Sequence, residues 1–171
     1  MKKFFFLIFF LINFTHSHAE ENIVYIDINK IINESKVGMS LNEQLKKIND
    51  KNIKEFKTAE ASLKSEEENI LKQKNILKEE DFSIKVNNLR EKYESYNQTK
   101  KNKNNNLRKR RDNAAGKILT TVNEILRDYS VKNSISMIID KKNIVIGKTQ
   151  LDITNDILDL LNKKITNISL D

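Results

Sequence analysis

Gly147-Lys148-Thr149 has the ending of a phosphate-binding loop, the one tripeptide in this 171-residue chain that looks built for a cofactor. A working loop needs a glycine five residues earlier, where Lys142 stands, and backbone amides left open to cradle phosphate. The adjoining run Asn143 to Ile146 is instead expected to be a strand, so the tripeptide reads as a turn and no cofactor is expected. Acid–base and nucleophilic chemistry are equally short of groups. The only histidines are His16 and His18, close to the N-terminus, and cysteine is absent, which removes the commonest base and nucleophile at neutral pH. Carboxylates are plentiful but fall in runs such as Glu66-Glu67-Glu68, the pattern of a solvated helix face. They offer neither a transition-metal set nor the spacing of a calcium loop. An enzyme is not expected.

The remaining chemistry is charge. Between Asn97 and Lys117 stand Lys100, Lys101, Lys103, Arg108, Lys109, Arg110, Arg111 and Lys117, against Asp112 alone, a net of +7 that equals the formal charge of the whole chain. One stretch therefore accounts for the basic character. Part of it is expected to be neutralised across a helical pair, with Glu60 near Asn102 and Glu55 near Leu107. Because Lys51, Lys54 and Lys57 share that opposite stretch, an excess remains, and an attractive electrostatic surface is favoured over a purely solvated face.

These residues need elements to hold them. Lys2 and Lys3, the apolar run Phe4 to Leu11 that thins to Phe14, and Ser17-His18-Ala19 form a secretory signal in order, with cleavage expected after Ala19. The run is short of the roughly 20 residues that span a bilayer, which argues against the alternative of an uncleaved anchor. Export makes nucleic acid an unexpected partner for the basic run and brings forward acidic polypeptides and anionic lipid surfaces.

Residues 20–171 are expected to form a single domain, with a body from 20–40 and 131–171 and helical arms over 41–130. With no proline and only Gly38, Gly116 and Gly147, little interrupts helix propagation. Residues 23–28 read as a strand, followed by a short helical stretch near Lys30 to Asn33. From Leu41 a narrow apolar stripe (Leu45, Ile48, Phe56, Leu63, Ile70, Leu77) marks a first long helix. A turn is expected between Lys78 and Ser83, with Asp81 as the N-cap of a second. Its stripe runs Val86, Leu89, Tyr93, Tyr96, Leu107, Ala114, Ile118, Val122, Ile125 and Tyr129, broken by charges at Lys100, Lys103 and Arg110. Ser134 to Asp140 and 143–146 read as a strand hairpin turning at Lys141-Lys142-Asn143. Asp152 reads as the N-cap of a last amphipathic helix carrying Ile153, Ile157, Leu158, Leu161 and Ile165. Three short strands make a poor independent core, which favours oligomerisation.

This order of elements, with several short strings, resembles the OmpH-like (Skp-like) family of periplasmic chaperones over essentially all of residues 20–171. The strings are Ile23 to Asp27, the basic stretch Arg108 to Arg111 with Gly116-Lys117-Ile118-Leu119, Ile135 to Asp140, and Asp152-Ile153-Thr154-Asn155-Asp156-Ile157-Leu158. The resemblance implies an α+β, mainly α fold, a homotrimer whose strands close a small β-barrel body from which helical hairpins project. It implies an ATP-independent holdase in the periplasm, sheltering unfolded outer-membrane proteins in a cavity between the arms. It also suggests lipopolysaccharide or anionic membrane contact through the second arm. Lys100, Lys101, Lys103, Arg108, Lys109, Arg110 and Arg111 are the candidate client- or lipopolysaccharide-binding residues. A structural coiled-coil envelope spacer without clients is the alternative, and it should have kept its seam apolar where this one is charged.

Overall fold

The computed structural model describes residues 22–170, so the proposed signal and its cleavage point lie outside the described residues. The chain runs β1 (Ile23–Ile26), α1 (Ile28–Glu34), α2 (Lys36–Lys72), α3 (Glu79–Lys132), β2 (Met137–Asp140) and α4 (Thr154–Lys164). Single 3-10 turns at Lys141–Asn143 and Thr149–Leu151 separate β2 from α4. β1 and β2 pair in parallel, Ile23 opposite Met137 and Ile26 opposite Asp140. Parallel neighbours need a long crossover connection, and here the whole helical arm supplies it.

Short polar residues set the corners. Asp27 ends β1 and turns its carboxylate back to accept the Lys30 amide at 2.9 Å, capping α1. Its own amide donates to the Thr154 hydroxyl at 2.9 Å, tying the strand to the start of α4. Ser35 closes α1 and opens α2, its hydroxyl accepting the Gly38 amide at 3.1 Å. Gly38 is required by close approach, because a Cβ there would run into the Ile32 carbonyl oxygen. At the far end of α3, Ser134 adopts φ 51° and turns the chain toward β2, a left-handed step that often ends helices.

The core gathers around these corners. Val24 and Ile26 of β1, Ile31, Val37 and Leu41, the α3 stripe Ala114, Ile118, Val122 and Ile125, and Ile153, Ile157 and Leu161 form one buried cluster. Beyond α4 an extended strap carries Ile165, Ile168 and Leu170 against the same cluster. The Gln44 side-chain amide donates to the Ile168 carbonyl at 3.0 Å, and the Ser40 hydroxyl donates to the Asn167 side chain at 2.9 Å. Farther out, Leu63, Ile70 and Leu89, with Phe82, Val86, Tyr93 and Tyr96 against them, form a second, thinner cluster between α2 and α3. At about 1.5 Å per residue, α2 extends about 55 Å and α3 about 80 Å.

Several boundaries depart from the sequence reading. Residues 143–146 are not a strand: the chain makes a 3-10 turn and then runs irregularly, with Val145 and Ile146 wholly exposed. Asp140 accepts the Lys142 amide and turns the chain away from the sheet, and the free side of β1 is bridged instead by Asp152, with the Ile153 amide donating to the Tyr25 carbonyl at 3.0 Å. β1 stops at Ile26, because Asp27 diverts the backbone into α1, and the second strand shortens to Met137–Asp140. The turn between the arms comes earlier than Lys78–Ser83, since α2 ends at Lys72 and α3 begins at Glu79. Asp81 is not the N-cap. It sits in the first turn of α3 beside Glu79 and Glu80, where negative charge complements the helix dipole. Asp152 stands one residue ahead of the α4 cap position, Ile153, yet still accepts the Thr154 amide at 3.0 Å.

Candidate functional site: the basic segment of the long helix

All seven candidate cations lie mid-helix on α3, where the helical period sends them to different sides. Lys103 and Arg110, seven residues apart, fall on one flank of the α2–α3 pair with Lys92. Lys101 and Arg108, also seven apart, fall on the other with Arg111. The first flank is internally satisfied. The Lys103 ammonium ion-pairs with Glu55, whose carboxyl is held below its usual range chiefly by that hydrogen bond. Lys92 pairs with Glu66 at 2.6 Å. Arg110 donates through Nε to Asn106 at 2.7 Å and through Nη1 to the Leu170 carbonyl at 3.2 Å, which places it under the C-terminal strap.

The charged seam positions have a specific accommodation. Phe56 and Tyr96 meet edge to face with ring centroids 6.3 Å apart. The Lys100 ammonium lies 5.9 Å and 5.7 Å from their respective ring centres, and that of Lys103 lies 5.9 Å from Phe56. Aromatic faces attract cations electrostatically, so two lysines occupy a stripe that sequence reading treats as broken. The Tyr96 hydroxyl is buried there without a hydrogen-bond partner among the described residues. One helical turn toward the tip, burial and then a 3.1 Å hydrogen bond to Glu67 push the Tyr93 phenol up.

The second flank is different. Lys101, Arg108, Lys109 and Arg111 are exposed and make no hydrogen bond or ion pair with the described residues. Arg108 and Arg111 edge a cleft of about 540 Å³ between α2 and α3, and Lys46 of α2 faces them across it. Lys46 was not legible as a candidate. It is one of many lysines on α2, and only the pairing register carries it opposite the arginines. That register corrects another expectation: Glu55 meets Lys103 rather than Leu107, one helical turn away. The Gly147-Lys148-Thr149 segment packs on Tyr25, whose hydroxyl donates to the Lys148 carbonyl at 3.3 Å. Among the described residues no group of three or more acidic or histidine side chains is gathered as for a metal ion, and no helix is long and apolar enough to cross a membrane.

The plan is a two-stranded parallel sheet crossed over by one long helical hairpin. The model of the OmpH-like outer membrane protein family matches residues 22–161, most of the chain. This chain belongs to the OmpH-like family. A comparison with curated proteins found no match. Among solved structures, it is similar to a protein of Caulobacter crescentus CB15 assigned to the OmpH-like outer membrane chaperones. The TM-score is 0.80 at 16% identity, covering 92% of this chain and 93% of the other. At that identity the likeness speaks for the fold, including the projecting hairpin. The strap beyond residue 164 falls outside the family match.

Proposed function

We propose that this protein is a periplasmic chaperone, an ATP-independent holdase that keeps unfolded outer-membrane proteins from aggregating. The observation that carries the reading is the OmpH-like match over residues 22–161. The arm supports it physically. Its seam is thin, and its free cations lie on a surface that could make many weak contacts. Contacts of that kind hold an unfolded chain and still let it leave.

The working unit in this reading is a homotrimer. Met137, Val145 and Ile146 stand exposed beside a sheet of only two strands, an arrangement that leaves strand edges unpaired. Neighbouring copies would cover them, and the body of residues 20–40 and 131–171 would then assemble with the arms of residues 41–130 around a cavity. Export with cleavage after Ala19 delivers the protein to that compartment. Among the seven candidate cations, Lys101, Arg108, Lys109 and Arg111 are available to clients or to an anionic lipid surface. Lys100, Lys103 and Arg110 mainly hold the arm together.

The test is light scattering from an unfolded outer-membrane β-barrel protein diluted out of urea, with and without the purified protein. Suppressed scattering at stoichiometric amounts, with no ATP added, is the expected result. Unchanged scattering refutes the holdase reading and favours a spacer. Sedimentation of the same sample reads the oligomer, and Val145→Ser with Ile146→Ser is expected to shift it toward monomer.

A further inference from the structure

The cleft between α2 and α3 is lined by cations from both helices. Lys46 stands on one wall, and Arg108 and Arg111 stand on the other. Leu45 and Leu107, both half-buried, supply its apolar surface. Asn42, Asn49 and Asn104 add side-chain amides, and among the described residues no carboxylate lines it. The neighbouring acid Asp112 lines the cleft on the opposite flank, with Arg110 and the strap residue Leu170. At about 540 Å³ it lies within the roughly 300–1,000 Å³ range of ligand-binding clefts.

We propose that this cleft is a discrete subsite for an acidic, leucine-rich segment of an unfolded polypeptide, with Lys46, Arg108 and Arg111 taking its carboxylates. The proposal rests on the holdase reading and names the part of a client that the arm recognises. Two arginines can each grip a carboxylate through paired N–H donors, and the leucines accept an aliphatic side chain between them. The asparagines offer donors and acceptors together, as a peptide backbone requires, whereas a phosphate would use donors alone. A lipid acyl chain would need a long apolar wall, and two leucines do not provide one. Polypeptide is therefore favoured over lipid.

The test compares two triple variants that each remove three positive charges. One is Lys46→Gln, Arg108→Gln, Arg111→Gln in the cleft. The other is Lys64→Gln, Lys72→Gln, Lys74→Gln, at exposed positions outside it. The probe is a short fluorescein-labelled peptide of alternating aspartate and leucine, followed by anisotropy, with an asparagine–leucine peptide as control. The cleft variant is expected to bind the acidic peptide at least about tenfold more weakly, and the outside variant within about twofold of the parent. Circular dichroism melting of both establishes that they are folded. Equal weakening by the two variants overturns the subsite and leaves only diffuse attraction. Loss of binding to anionic phospholipid vesicles with unchanged peptide affinity also overturns it, in favour of a lipid site. The β-barrel aggregation assay on the parent separates the two readings. If the parent protects its client while the cleft variant binds peptide normally, the subsite falls and the holdase stands.

Discussion

The foot of the arm and its outer half are built from the same two helices, yet they pack to different depths. At the foot, Ile118, Val122, Ile157 and Leu161 are 0% exposed, whereas the best-buried side chains farther out, Leu63, Ile70 and Leu89, remain 7–8% exposed. At the foot α3 has α1, α2, α4 and the strap around it. In the outer half it has α2 alone. A two-helix seam can cover only one stripe per helix, so the outer arm relies on exposed ion pairs and cation–aromatic contacts, which contribute little each. Stability is concentrated at the foot, and the outer arm is expected to open locally well below the global unfolding free energy.

The contrast is broken most severely at Gly38. Gly38→Ala drives a methyl group into the Ile32 carbonyl and is expected to cost more than about 4 kcal/mol, or to abolish cooperative unfolding in urea. A melting curve close to the parent's would mean that α1 and α2 can part at no cost. Next, truncation at each level grades the two seams. Ile118→Ala is expected to lose about 2–5 kcal/mol, the range for a filled core, and Leu89→Ala less than about 2 kcal/mol because an open seam can collapse. Equal losses in urea titrations would refute the difference in packing.

Smaller effects sharpen it. Tyr96→Phe removes a buried hydroxyl that has no partner and is expected to stabilise the outer arm by about 1 kcal/mol, read as slower hydrogen exchange in α2 and α3. Gly116→Ala meets nothing among the described residues within 4 Å and is expected to gain about 0.5–1 kcal/mol from helix propensity. The same substitution should thus have opposite signs at the foot and on the open face of α3. The weakest effect concerns Tyr129, whose phenol donates to Asp156 at 2.6 Å and is pushed up to about 12, first by that hydrogen bond and then by burial. Its folded pKa lies above the ordinary value of 10.0, so its contribution is complete below pH 10 and disappears as pH rises through about 12. The parent's stability advantage over Tyr129→Phe should fade across that interval in urea titrations. An advantage that persists above it would remove the linkage.

Much of the plan was legible because it is local. The seven-residue recurrence of Leu63 and Ile70, and the four-residue steps Ala114, Ile118 and Val122, report helix period without reference to any partner. The acids before Phe82 and the Asp-x-Thr at the start of α4 announce helix starts, though one to three residues off. The strand at 143–146 was not legible for the converse reason: β-branched composition gives a strand only where the backbone is brought alongside an edge, and here a 3-10 turn carries it away while Asp152 bridges β1. Likewise the seven cations were visible as a cluster, but not their division into satisfied and free.

The sequence by itself determined the arms, their charge and the apolar stripe at their foot, since helix propensity and period act within a few residues. Only the tertiary structure decided that β1 and β2 run parallel, that Lys103 meets Glu55, that the strap reaches Arg110, and that Lys46 faces Arg108 and Arg111. Each depends on the register between segments far apart in the chain. That register follows from where α2 stops and how the foot packs, and a shift of one helical turn would exchange every partner along the arm.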